Sequence, residues 1–281
     1  MTDPVFLCDG CPQDPQAVAA AAAVLEHGPG QSVTITGDEG FHAVTVKRIS
    51  CGDTITVTNG HGVAATVRVT DTTGKDRLTG TIVGGAERAR PAVGIAVVQA
   101  LPKSDRAESP VQLATQAGAA VVVPWQAERC IAKWKGAKKD RAQAKWRSAA
   151  IEAAKQSRRT TVPRVTDMVT TAQLAGHIAR VRDNGSVVIV LDENARQPLT
   201  GLAVWDRIAA GPVGGDTDPD ALFSGCDVVV IVGPEGGIGD GEKQRLIDAG
   251  AIPALLGPEV FRTVTAAMAA CVAVSVLTGR W

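Results

Sequence analysis

The chain has 281 residues, 45% of them hydrophobic, enough for one large or two medium domains with buried cores. Its 29 Lys and Arg balance 29 Asp and Glu, so overall charge gives no reason to expect a polyanion partner. No run reaches the roughly 18 apolar residues of a membrane span, and the N-terminus lacks the basic region of a signal peptide, so a cytoplasmic protein with no membrane contact is expected.

Charge distribution is more informative than its sum. Residues 129–164 hold twelve Lys and Arg against Asp140 and Glu152, whereas residues 1–88 hold six basic and ten acidic residues. One concentrated basic block suggests local contact with an anion, and a solvated helix face explains it equally well. The six cysteines, at 8, 11, 51, 130, 226 and 271, are too sparse for a disulfide scaffold and fit a reduced protein. Cys8-x-x-Cys11 has half the spacing of a zinc site but no second Cys/His pair to complete it, so no metal is expected.

In chain order, residues 17–27 read as a helix ending at Gly28-Pro29-Gly30. Period-two alternation marks strands at 32–36, 54–58 and 65–69, with a fourth at 78–83, and Asn59-Gly60-His61-Gly62 is a hairpin turn signal. Short strands at this spacing suggest a small barrel. Residues 41–48 fit a helix or a strand. Composition shifts at residues 84–91, which read as a linker. Strands and helices then alternate. Strands are expected at 93–101, at 119–123 (ending at Pro124) and at 187–191, and helices at 109–118, 140–157 and 199–210. Residues 211–220 form a polar Gly/Pro/Asp-rich loop. The apolar run Val228-Val229-Val230-Ile231-Val232 is followed by a helix at 240–250, an apolar run at 251–256 and an apolar helix at 264–277. Apolar strands alternating with helices indicate a parallel sheet covered on both faces.

In such sheets ligands bind beyond the carboxyl ends of the strands. Three strand ends carry unusual loops: Asp192-Glu193-Asn194-Ala195-Arg196, Gly233-Pro234-Glu235-Gly236-Gly237-Ile238-Gly239, and Gly257-Pro258-Glu259-Val260-Phe261-Arg262. Glycines let a backbone approach a ligand closely, and the helices after the last two loops point positive N-termini at it. Neither a phosphate-loop pattern nor a dinucleotide fingerprint is present. A ligand held mainly by backbone, with few phosphates, remains; an adenosyl-sulfonium cofactor fits, and two tight turns without a ligand stay open.

Residues 228–239 with Glu242, then Leu256-Gly257-x-x-Val260-Phe261-Arg262-Thr263-x-Thr265-Ala266, resemble the signature of the SPOUT methyltransferases, and most of all the RsmE family. Upstream, Leu101-Pro102-Lys103-x-Asp105-Arg106, Gln112-x-Ala114-Thr115-x-x-Gly118 and Gln156-Ser157-x-Arg159 resemble further family segments. Phe41-His42, Lys47-Arg48, Gly52-Asp53 and Asn59-Gly60-x-Gly62 resemble its PUA-like RNA-binding barrel. The resemblance spans roughly the whole chain. Gly239, Glu259, Val264 and Gln116 depart from it, standing where Ser, Arg, Glu and Glu are frequent.

The resemblance implies an α/β protein with a PUA-like β-barrel over residues 1–86 and a trefoil-knotted, parallel-sheet methyltransferase domain over 87–281. It implies S-adenosylmethionine as cofactor, a homodimer, and methylation of N3 of a uridine in 16S rRNA, naked or in the 30S subunit. The cofactor would be held by Leu191, Asp192, Glu193, Val232, Gly233, Pro234, Glu235, Gly237, Leu256, Gly257, Val260, Phe261 and Arg262, with Arg262 also acting on the base. Gln156 and Arg159, read as one helical turn apart, would contact RNA together with Lys103, Arg106, His42, Lys47 and Arg48. Other readings stay open: Arg262 in a salt bridge to Glu235, Thr263 or Thr265 as a helix cap, Trp125, Trp134 and Trp146 as stacking platforms or as core. For the whole chain they are a related knotted methyltransferase on another rRNA or tRNA position, and a non-catalytic RNA-binding or ribosome-assembly factor.

Overall fold

A computed structural model describes residues 3–12, 14–85, 87–88, 93–103, 107–211 and 221–281. The chain divides into one unit made of Met1–Arg90 with Ala154–Val162 and a second made of Pro91–Ala153 with Pro163–Trp281. A single boundary between 86 and 87 therefore misses that residues 154–162 return to the first unit. The loop expected at 211–220 lies, from residue 212 on, outside the described residues, as does Arg106.

The first unit contains β1 (Val5–Leu7), α1 (Pro15–Glu26), β2 (Ser32–Ile35), α2 (Gly37–Phe41), a π-helical turn (His42–Val46), β3 (Thr54–Thr58), β4 (Val63–Thr73), β5 (Arg77–Ile82) and β6 (Glu87–Arg88). The strand order is β1-β3-β4-β5-β2, with β6 on β4 and β1 running parallel to β3. Alternation decides the inner face: Ile55 and Val57 on β3, Val67 and Val69 on β4, and Leu78 and Ile82 on β5 are buried. Phe6 from one end of that order and Val33 and Ile35 from the other enter the same core, so the sheet wraps around it. Residues 41–46, open between helix and strand from sequence, are helical. Residues 154–162 are fixed by a partly buried ion pair, Lys155 Nζ to Glu39 Oε2 at 2.8 Å, and by the Thr58 hydroxyl donating to the Thr160 carbonyl at 2.9 Å.

The second unit contains β7 (Ile95–Ala100), α3 (Ser109–Gln116), β8 (Val121–Gln126), α4 (Ala137–Gln156, its last three residues grouping with the first unit), β9 (Arg164–Val165), β10 (Val169–Thr170), α5 (Thr171–Asp183), β11 (Val187–Leu191), α6 (Trp205–Ala209), β12 (Val228–Val232), α7 (Asp240–Asp248), β13 (Ile252–Ala254) and α8 (Thr263–Leu277). All strand pairs are parallel, in the order β10-β8-β7-β12-β11-β13 with β9 also on β8. The β-branched runs of β7 and β12 are buried along their whole length because helices cover both faces. Helices α3 and α8 pack on each other, and α8 also packs on β7 and β12; α5 packs on α7, β8, β10 and β11.

Strand β8 does not stop at Pro124. The Val122 carbonyl accepts from Thr166 N–H, so by period two Pro124 faces the same side. There β9 has ended opposite Val122 and β10 begins only opposite Trp125, so the missing proline N–H falls where no ladder bond is needed.

Candidate active site

Register puts β11 between β12 and β13: Val190 pairs Ile231 on one side, and Leu191 pairs Ala254 on the other. Parallel strands align their carboxyl ends, so the loops after residues 191, 232 and 254 meet at one edge. Together they line a cavity of about 900 Å³. Leu191, Val232, Leu256, Val260 and Phe261 give it apolar wall, and the glycine loops give it backbone, the mixture expected of a small-molecule site.

The first loop is set by Asp192. Its N–H donates to the Ala254 carbonyl, Oδ1 accepts from Asn194 N–H at 3.1 Å, and Oδ2 pairs with Lys243 Nζ of α7 at 2.9 Å. In the second loop Gly237 N–H closes a turn on the Pro234 carbonyl, and Gly237 has φ +71°, a left-handed conformation that disfavours any side chain. Glu235 Oε1 accepts from the Lys103 N–H at 3.3 Å, and the Arg129 guanidinium donates to the Gly236 carbonyl at 3.1 Å. The third loop passes Gly257, where a Cβ would lie 3.7 Å from the Phe261 ring. Val260 and Phe261 stand 76% and 42% exposed, large apolar groups left open at the cavity mouth.

Arg262 ends this loop at the N-cap of α8, where its carbonyl accepts from Thr265 and Ala266 N–H. Its side chain is exposed and makes no ion pair among the described residues. The expected alternative of a bridge to Glu235 is not formed; Glu235 Oε1 accepts from Lys103 N–H instead. Neither Thr263 nor Thr265 caps the helix: Arg262 holds the N-cap position without a side-chain bond, and the Thr265 hydroxyl donates back to the Arg262 carbonyl.

Behind the second loop lies Glu242, 2% exposed. Its Oε1 accepts from the Glu128 N–H at 3.0 Å and from the Thr171 hydroxyl, tying α7 to α5 and to the segment that carries Arg129; Oε2 has no partner among the described residues. Gly239 is the N-cap of α7 and supplies no side-chain bond. A Cβ there would sit 3.5 Å from Glu128 Oε2 and 3.8 Å from Glu242 Oε2, ordinary contact distances. Gly239→Ser should therefore cap α7 and offer a hydroxyl to the unpartnered oxygen, stabilising the fold by about 0.3–1 kcal/mol. A higher urea midpoint at unchanged slope is the expected reading, and a lower midpoint contradicts it.

All thirteen residues expected to hold a cofactor line this one cavity. Arg129, Asn194, Asp240, Lys243, Glu259 and Val264 also line it and were not assigned that role from sequence. Of the residues expected to contact RNA, His42, Lys47, Arg48, Gln156 and Arg159 belong to the first unit, and Lys103 belongs to the second with its side chain exposed. Gln156 and Arg159 do not share a helix face. The helix ends at Gln156; Arg158 turns left-handed at φ +56°, its N–H reaching the Lys155 carbonyl and Arg159 N–H the Ala154 carbonyl. This is a helix-ending turn of the kind that usually carries glycine. The tryptophans are core. Trp125, Trp134 and Trp146 are 0%, 6% and 0% exposed, and Trp134 meets Trp146 edge-on at 5.2 Å. Burial pushes the Cys8 thiol up to about 12 and the Cys11 thiol to about 11, so both stay protonated at neutral pH.

Comparison with known proteins is consistent with this division. A family model described as an RNA methyltransferase domain matches residues 89–275, and one described as an RNA methyltransferase PUA domain matches residues 35–83. The chain is 39% identical over 254 residues to ribosomal RNA small subunit methyltransferase E of Mycobacterium tuberculosis, covering 90% of this chain and 89% of that protein. It is 29% identical over 255 residues to the protein of the same name from Bacillus subtilis, covering 90% and 93%. A crystal structure of ribosomal RNA small subunit methyltransferase E from Neisseria gonorrhoeae, bound to S-adenosyl methionine, shares the fold at TM-score 0.74 and 24% identity, over 98% of each chain.

Proposed function

Because the chain belongs to the ribosomal RNA small subunit methyltransferase E family, we propose that it transfers the methyl group of S-adenosylmethionine to N3 of a uridine in 16S rRNA. The observation that carries this reading is the three-loop cavity with an unpaired arginine at its mouth. The cavity fits the donor: Gly236, Gly237 and Gly257 leave open the space side chains would fill, and the walls are apolar where an adenosyl group needs cover. When bound, S-adenosylmethionine supplies an electrophilic methyl group on a sulfonium.

The protein's own groups have three tasks. Backbone N–H and carbonyl groups of the loops at 191–194, 233–237 and 256–261 hold the donor without large side-chain movement. Leu191, Val232, Leu256, Val260 and Phe261 keep water from the reacting centre. Arg262 acts on the acceptor. Uracil N3 becomes nucleophilic on losing its proton, and the negative charge then spreads over O2, N3 and O4. A guanidinium beside those oxygens stabilises that anion as it forms. Incubating the protein with labelled donor and small-subunit rRNA, naked or assembled in 30S particles, tests the reading. Label in 3-methyluridine supports it; label only in another nucleoside or in tRNA moves the chain to a related specificity.

RNA is gripped, in the same reading, by His42, Lys47, Arg48, Gln156 and Arg159 on the first unit and by Lys103 and Arg106 on the second. Arg48 bears on this directly. It ends the π-helical turn at φ +58°, exposed and without a hydrogen bond or ion pair among the described residues. An L-residue there costs roughly 1 kcal/mol that glycine avoids. Arg48→Gly should raise stability by about 1 kcal/mol and weaken RNA binding by roughly fivefold. Greater stability with undiminished RNA affinity would remove Arg48 from the interface.

Helix α8 supports a homodimer. It buries Ala266, Ala267, Ala270, Cys271 and Val274 within its own chain, yet its other face is also apolar, with Met268, Ala269, Val272 and Ala273 half-exposed and Val276 59% exposed. A solution mass of two chains supports this, and a mass of one chain overturns it. No helix among the described residues is long and apolar enough to cross a membrane. A cytoplasmic location follows from the proposed substrate.

A further inference from the structure

Five carboxylates line the cavity, Asp192, Glu193, Glu235, Asp240 and Glu259, against three cations, Arg129, Lys243 and Arg262. Several of these are engaged. Asp192 is paired with Lys243, Glu235 accepts from a backbone N–H, Arg129 donates to Gly236, and Asp240 sits in the first turn of α7. Glu193 and Glu259 are both exposed, and neither makes a hydrogen bond or ion pair among the described residues; of the two, Glu259 stands on the third loop, beside its glycine. Its Oε2 lies 4.0 Å from where a Cβ on Gly257 would be, the same point that the Phe261 ring approaches to 3.7 Å. The carboxylate thus stands near the glycine of the third loop, at the mouth of the cavity.

We propose that Glu259 is a charge-selecting residue, favouring the cationic methyl donor over its neutral product. The inference rests on the cofactor reading above. Methyl transfer breaks one S–C bond and leaves the electron pair on sulfur, so a sulfonium becomes a thioether. The adenosine and amino-acid parts are unchanged, and donor and product differ by one methyl group and one positive charge. Apolar walls do not discriminate on charge, and backbone dipoles do so less than a full negative charge; a carboxylate beside the site adds that discrimination. At the separations of a cavity this size, in a partly solvated mouth, one carboxylate is worth roughly a threefold to fivefold preference, reduced by salt. Its use is turnover: spent product is displaced by fresh donor more readily than contacts shared by both would allow.

The test is calorimetric titration of S-adenosylmethionine and of S-adenosylhomocysteine into the full chain and its Glu259→Gln variant, at low and at high salt. Glu259→Gln should weaken the donor about threefold to fivefold and leave the product within about twofold, and high salt should shrink the wild-type preference. A Glu259→Lys variant should extend the effect in the same direction, to about tenfold or more. Thermal melts of each variant check that the fold is kept. A wild-type protein that binds neither ligand overturns the proposed function and this inference with it. A wild-type protein that binds both, with variants that lose both alike or neither, overturns the inference alone.

Discussion

Replacing Arg262 by alanine is expected to slow methyl transfer by about a hundredfold to a thousandfold while changing donor affinity only a few-fold. The asymmetry follows from where the side chain stands. The Arg262 backbone serves the fold, its carbonyl accepting from Thr265 and Ala266, and alanine keeps that carbonyl. The guanidinium is exposed and unpaired, so its removal strands no buried partner. On the proposed mechanism, what is lost is a cation positioned for a charge that exists only as the uracil N3 proton leaves. Two further readings separate this from a structural role. Lysine at 262 keeps the charge without the planar fork and should recover part of the rate. The alanine variant should also recover activity as pH rises, because uracil then deprotonates without help. Equal losses of rate and donor affinity, with no pH rescue, would mean that Arg262 merely shapes the loop.

Glu242→Ala should cost about 2–5 kcal/mol of stability, and Glu242→Gln distinctly less. The carboxylate is 2% exposed and is the shared acceptor for the Glu128 N–H and the Thr171 hydroxyl. The Thr171 oxygen in turn accepts from Trp125 Nε1 at 3.1 Å, so the chain of bonds runs from the core tryptophan of β8 through α5 to α7. Alanine removes the acceptor of the part-buried Glu128 N–H and opens a void. Glutamine retains an oxygen for both donors. Because Glu128 precedes Arg129, which clamps the Gly236 carbonyl, the alanine variant should also loosen the cofactor loop and weaken donor binding. Urea unfolding with a parallel donor titration checks both parts. A variant as stable as wild type would show that the network is replaceable.

Most of the cavity could be read from the chain because its makers are local. The first two loops directly follow β-branched runs, the last two carry glycine and proline, and strand ends in a parallel sheet converge whatever the connections between them. Arg129 could not be read this way. It lies more than a hundred residues before Gly236, inside a block whose charge drew attention away from any single member, and only β8 packing brings it to the loop. The turn at Arg158 was hidden for a different reason: such turns are announced by glycine, and here arginine accepts the left-handed strain. A continuous helix over Gln156 and Arg159 was the natural reading. Helix α5 carries a start signal in its sequence, the capping box of Thr170 and Gln173. Trp146 reads as an aromatic within a basic surface because successive residues on α4 point about 100° apart, so one buried position lies in sequence between exposed Lys145 and Arg147.

The central claim is that the three-loop cavity and Arg262 together methylate uridine N3 in small-subunit rRNA. Nucleoside mass analysis of that rRNA from cells lacking the protein, and from the same cells supplied with wild type or Arg262→Ala, tests it most directly. The expected result is the loss of one 3-methyluridine, restored by wild type and not by the alanine variant. An unchanged 3-methyluridine content in cells without the protein would contradict the account.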